Sequence, residues 1–107
     1  MSTIEETPAQ QLIGDFAPEL VSLTDDVLFG RVWARPELSA RDRSLITVAS
    51  LVTSGGIDQL RGHLPLARDN GVTEGELVEA ITHLAFYAGW PKAMSAITLA
   101  KALFEND

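Results

Sequence analysis

Few side chains in this sequence have the types and spacing to do chemistry. His63 lies in SGGIDQLRGHLPLA, residues 54–67, two positions before Pro65. His83 follows Glu79 by four residues and precedes Tyr87 by four, and Trp90 comes soon after. Arg31, Arg35, Arg41 and Arg43 fall within thirteen positions. An imidazole titrates near neutrality, so either histidine could carry a proton. A guanidinium grips a carboxylate through two parallel hydrogen bonds, so an arginine could anchor an acid. Plainer readings stand beside these. A histidine at the edge of an apolar helix face can be a packed, satisfied side chain, and His83 can be held by Glu79 one turn earlier. The arginines can pair with nearby carboxylates. Trp33 and Trp90 can be core or interface anchors.

Other chemistry is excluded by what the chain lacks. It has no cysteine, which rules out disulfides, thiol nucleophiles, thiol peroxidase chemistry and zinc–thiolate sites. His63 and His83 are twenty residues apart, and neither has a partner at metal-ligand spacing, so no metal is expected. A site built from both histidines and Glu79 is disfavoured. No phosphate-cradling glycine motif or nucleophile elbow is present, and Gly55-Gly56 reads more simply as a helix stop.

The 107 residues make one domain. Fifteen acidic against eight basic residues give a net charge of −7, the wrong sign for a nucleic-acid footprint. The chain is 46% hydrophobic, more than a small domain readily buries, and the surplus points to a subunit interface. Ile4-Glu5-Glu6 is not the start of a signal peptide, and no run approaches the ~20 apolar residues of a membrane span. The expectation is a soluble, cytoplasmic protein.

The elements that must position these side chains all read as helices. Residues 1–8 look like a frayed lead-in. Leu20, Leu23, Val27, Leu28 and Val32 recur at helical spacing between Pro18 and Ala34, punctuated by Gly30. Ser39 is a good N-cap for a helix running to about Thr53, where Ser54-Gly55-Gly56 stops it. Its stretch SLITVASLVT is apolar nearly all round, which predicts the central, most buried helix. Ile57, Leu60, Leu64 and Ala67 mark a further helix, ended by Asn70-Gly71. Pro65 inside it predicts a kink beside His63 and a freed Arg61 carbonyl. Thr73 and Glu76 form a capping box for a helix with Leu77, Ile81, Leu84 and Ala88 on one face. Gly89 closes it, and Trp90-Pro91 opens the last helix, to about Phe104. The prediction is an all-α bundle of five to six helices with short connections.

Read together, WARPELSARDRSLITVASL and LRGHLPLARDNGVTEGELVEAITHLAFYAGWPKAMSAITLAKALF resemble the carboxymuconolactone decarboxylase family over residues 16–105. The elements carrying the resemblance are Trp33, Arg41-Asp42-Arg43, His63, Asn70-Gly71-Val72-Thr73 and Tyr87-Ala88-Gly89-Trp90-Pro91. It implies an alkyl hydroperoxidase D-like helical domain over 16–107 after a flexible lead-in of 1–15, assembled as a homotrimer or homohexamer. Peroxidase members of the family use a glutamate, a Cys-x-x-Cys pair and a histidine. In this chain those positions hold Ser44, Gly56, Gln59 and His63. Only the histidine is kept, so a peroxidase reading fails for want of a thiolate.

The other branch resembles the cofactor-free decarboxylase of aromatic-acid breakdown, which converts 4-carboxymuconolactone to 3-oxoadipate enol-lactone. By that resemblance the chain is a carboxy-lyase needing no cofactor. His63 is its proton donor or oxyanion partner, and Arg43 its carboxylate anchor, with Arg41 the alternative. His83, Tyr87 and Trp90 would line the pocket, within one subunit or across a boundary. The resemblance leaves open another small lactone or keto acid as substrate, and also a non-catalytic helical oligomeric subunit.

Overall fold

The computed structural model describes residues 5–105, and every regular element among them is helical. The chain divides into two compact units at Leu38/Ser39.

In the first unit, α1 spans Pro8–Ile13 and α2 spans Pro18–Ser22. Residues 1–4 of the expected lead-in lie outside the described residues. Helix α1 was missed in the sequence, although its start was legible. Thr7 caps the Gln10 N–H while the Gln10 side chain accepts from the Thr7 N–H, and Pro8 opens the helix. Thr7 also donates to Asp25 at 2.7 Å. The helical pattern expected from Pro18 onward is present, but from Leu23 to Val32 it winds as a π-helix. Its hydrogen bonds reach back five residues, as from Trp33 N–H to the Leu28 carbonyl at 2.9 Å. Gly30 suits that wide turn: a Cβ there would sit 3.0 Å from the Asp25 carbonyl oxygen. Phe29 and Trp33 stack at 5.7 Å one turn apart.

The second unit contains α3 (Ala40–Ser54), α4 (Ile57–Asp69), α5 (Glu74–Ala88) and α6 (Trp90–Glu105). Each boundary has a local cause. The Ser39 Oγ accepts from the Asp42 N–H at 3.0 Å, and Gly55 leaves α3 at a φ of 79°. Thr73 and Glu76 form the expected capping box, and Gly89 breaks the chain at a φ of 103°. The four helices pack in the cyclic order α3, α4, α6, α5. Asn70 at the end of α4 bonds Ser44 near the start of α3, so those helices are antiparallel. Glu76 and Arg41 pair near the starts of α5 and α3, so those two are parallel.

Val48, Val52, Leu60, Leu64, Ala67, Val72, Leu77, Ile81, Ala96 and Ala100 form the core. Each large buried side chain among them contributes about 1.5–3 kcal/mol by leaving water. Helix α3 is not the all-round buried helix its composition predicts. In a ring of four helices each gives one stripe to the core, here Ser44, Val48 and Val52 on α3. Its opposite stripe, Asp42, Ile46, Ser50 and Thr53, faces solvent, with Ile46 56% exposed.

Candidate active site

Helix geometry sorts the candidate residues onto the two flanks of α3. Successive residues turn by about 100°, so Arg41 and Arg43 cannot face the same neighbour. Arg41 pairs with Glu76 of α5 and with Asp42 at 3.2 Å. Arg43 stands on the other side of the exposed stripe, towards α4. Its N–H bonds the Ser39 carbonyl at 3.0 Å and its own carbonyl accepts from Thr47 Oγ1 at 2.7 Å. The next residue, Ser44, accepts from Asn70 Nδ2 at 2.9 Å.

On α4 the buried stripe is Leu60, Leu64 and Ala67. Ile57 and Arg61 flank it on the α6 side, where they line a groove with Met94, Ser95 and Thr98. His63, Leu66 and Asn70 flank it on the α3 side, all half-buried. His63 therefore shares the α3–α4 seam with Arg43. Asn70 fixes the register, and His63, seven residues earlier, lies about 10 Å along α4 from the Asn70–Ser44 bond.

Burial holds the His63 pKa below its ordinary 6.5, so the imidazole is neutral at pH 7. Its Nδ1 and the Arg43 Nε are buried and take part in no hydrogen bond, while both side chains engage neighbours through other contacts. The expected role of Pro65 finds no geometric support. Pro65 is exposed and sits on the far side of α4 from His63, and α4 runs unbroken through it. The carbonyl that a proline frees belongs to that outer face, since it lies one turn below the ring.

His83, Tyr87 and Trp90 are not brought to this seam within one chain. Glu76, Ala80, His83 and Tyr87 share a stripe of α5, the helix on the opposite flank of α3. His83 is exposed and packs its ring against Tyr87 at 4.9 Å, with no ion pair to Glu79 among the described residues. Phe86 and Trp90 meet edge-on at 5.3 Å. Tyr87 is 77% and Trp90 56% exposed, and Met94 lies one turn further along α6. These rings form an aromatic ridge open to solvent.

Two surface grooves of this unit lie away from His63. The larger, about 530 Å³ and shallow, runs between α4 and α6 along Ile57, Arg61, Met94, Ser95, Thr98, Leu99 and Ala102. The smaller, about 180 Å³, lies beside Val52, Gly55, Ile57, Pro91, Lys92 and Ser95. Lys92 there donates to the Thr53 carbonyl at 2.8 Å. Among the described residues, no three acids or imidazoles converge at metal-binding spacing. Among the described residues no helix is long and apolar enough to cross a membrane.

The Ser44–Asn70 pair escaped the sequence reading, though a signal for it existed. Ser44 precedes Val48 and Val52 at four-residue intervals, so it occupies a core position, and a hydroxyl buried there requires a partner.

Comparison with known proteins identifies the family. The model of the carboxymuconolactone decarboxylase family matches residues 18–102. The 4-carboxymuconolactone decarboxylase of Acinetobacter baylyi is 38% identical over 94 residues, covering 88% of this chain and 70% of that protein. The nitrosuccinic acid decarboxylase of Metarhizium robertsii is 36% identical over 90 residues, covering 84% of this chain and 55% of that protein. An uncharacterized 15.0 kDa protein of Paracoccus denitrificans is 26% identical over 84 residues, covering 77% of this chain and 63% of that protein. The first two are carboxy-lyases by name, which supports the same enzyme class here. A matched stretch that includes His63 and Arg43, and a relative 38% identical over most of both chains, establish that this chain belongs to the carboxymuconolactone decarboxylase family.

Proposed function

We propose that this protein is a cofactor-free decarboxylase of a small dicarboxylic acid, 4-carboxymuconolactone or a close analogue, in the breakdown of aromatic compounds. The observation that supports the reading is the neutral, half-buried His63 on the flank of α4 that Asn70 ties to Ser44, next to Arg43 in sequence. The substrates named for the two decarboxylase relatives are both acids with two carboxyl groups. One carboxylate can be held while the other leaves.

In 4-carboxymuconolactone the departing carbon dioxide leaves its bonding electrons on a ring carbon. They spread through the ring alkene to the lactone carbonyl, giving a dienolate, so the substrate is its own electron sink. Arg43 binds the acetate carboxylate through paired hydrogen bonds. His63 donates to the lactone oxygen as it becomes anionic, or delivers the proton that carbon must gain. Because His63 is neutral in the free protein, its second proton arrives with the substrate, whose charge raises the imidazole pKa.

The protein works in the cytoplasm as a homotrimer or homohexamer. The exposed aromatic ridge supports this, since Phe86, Tyr87 and Trp90 stand uncovered near one another as an apolar patch that a second copy could bury. A second copy would close the seam over the substrate and could bring its own His83, Tyr87 and Trp90 to it. A non-catalytic oligomeric subunit is the competing reading. Carbon dioxide release from the lactone by the wild type, and its loss in Arg43→Ala, tests the proposal. An assembled protein inert towards a panel of lactone and keto acids would support the competitor.

A further inference from the structure

We propose that Asn70 and Ser44 are positioning residues that hold Arg43 for the substrate carboxylate and set its spacing from His63. The inference rests on the assignment of Arg43 and His63 to one site. Arg43 lies in the first turn and a half of α3, where helices fray unless tied down. Two other ties there, Ser39 to Asp42 and Arg41 to Glu76, are exposed.

The tie next to Arg43 is different. Ser44 is 1% exposed and is the one buried polar residue among the described residues. Its Oγ accepts from Asn70 Nδ2 at 2.9 Å. Asn70 is itself fixed, its N–H bonding the Leu66 carbonyl at 2.9 Å in helical register with His63. One half-buried hydrogen bond therefore joins the turn that carries Arg43 to the flank that carries His63. An apolar pair would pack Ser44 equally well but would allow axial slip, whereas a directional bond admits one register.

The test is a double-mutant cycle in steady-state kinetics with the lactone acid, using Asn70→Ala, Arg43→Ala and the double variant. Asn70→Ala should raise KM about tenfold with kcat changed less than threefold, because it disturbs the anchor rather than the proton donor. In the Arg43→Ala background the same change should move KM by less than twofold, since no anchor remains to be positioned. Equal KM effects in both backgrounds would overturn the inference and make the pair merely structural. Ser44→Ala, matched for folding by circular dichroism, should repeat the Asn70→Ala result, and a wild-type KM in it would also overturn the inference. A wild-type KM in Arg43→Ala itself would instead refute the site reading beneath it.

Discussion

Arg41 and Arg43, two residues apart on α3, belong to opposite flanks of that helix. Arg41 pairs with Glu76 on α5, while Arg43 stands on the α4 flank beside the Ser44 that Asn70 holds. The two arginines therefore differ in consequence. Arg43→Ala should raise KM for an anionic substrate at least tenfold, as loss of a bidentate anchor does. Arg41→Ala should leave KM within about twofold and stability within about 1 kcal/mol, the usual worth of an exposed ion pair. Parallel kinetics and urea melts measure both.

His63 should also leave a mark on stability. Its folded pKa lies below 6.5, so the unfolded chain binds the proton more readily. That contribution is complete above pH 6.5 and is lost as pH falls from there to the folded value. Thermal melts at pH 7.5 and 5.5 should show a drop that shrinks in His63→Gln. An unchanged drop would mean that burial does not disfavour the charged imidazole.

The rate should depend on pH in a related way. If His63 delivers a proton, kcat/KM, which reports the free enzyme, falls as pH rises through a value below 6.5. In the complex the substrate's charge raises that pKa, so the limb in kcat should lie at higher pH. Coincident limbs would show that the substrate's charge does not act on His63.

The start of α5 offers a test of the scaffold. Thr73→Ala removes the cap and should cost about 1 kcal/mol, lowering Tm by about 4–8 °C for a unit of this size. The hydrogen bond from the Thr73 N–H, with Arg41 beside it, holds Glu76 below its ordinary 4.5 against the opposing effect of desolvation. The Glu76 contribution is present above pH 4.5 and is lost as pH falls through its depressed pKa. Differential scanning calorimetry at pH 7 and 3.5 reads both effects.

Most of the second unit was legible because its signals are local. Ser39, Gly55, Thr73 with Glu76, and Gly89 each end or begin a helix through their own backbone chemistry. The apolar spacing of α4 and α5 states which face is buried. The π-helix from Leu23 to Val32 was not legible, because its apolar residues fit a 3.6 period and only Gly30 hints at a wider turn. The site was partly legible. His63 and Arg43 were named from resemblance and residue type, but how the His63 flank of α4 lies against α3 is a non-local fact. Pro65, two positions on, faces the other side of α4 because residues two apart in a helix differ by about 200°, which the sequence alone could have shown. Periodicity along one helix could not show that His83 and Tyr87 flank α3 on the side away from His63.

The central claim is that His63 moves a proton during loss of carbon dioxide. Its most direct test is the rate of carbon dioxide release from 4-carboxymuconolactone by the wild type and by folded, correctly assembled His63→Ala. The account predicts a loss of about 10²–10⁴-fold in kcat, the usual worth of a general acid. Release by His63→Ala at the wild-type rate would contradict it.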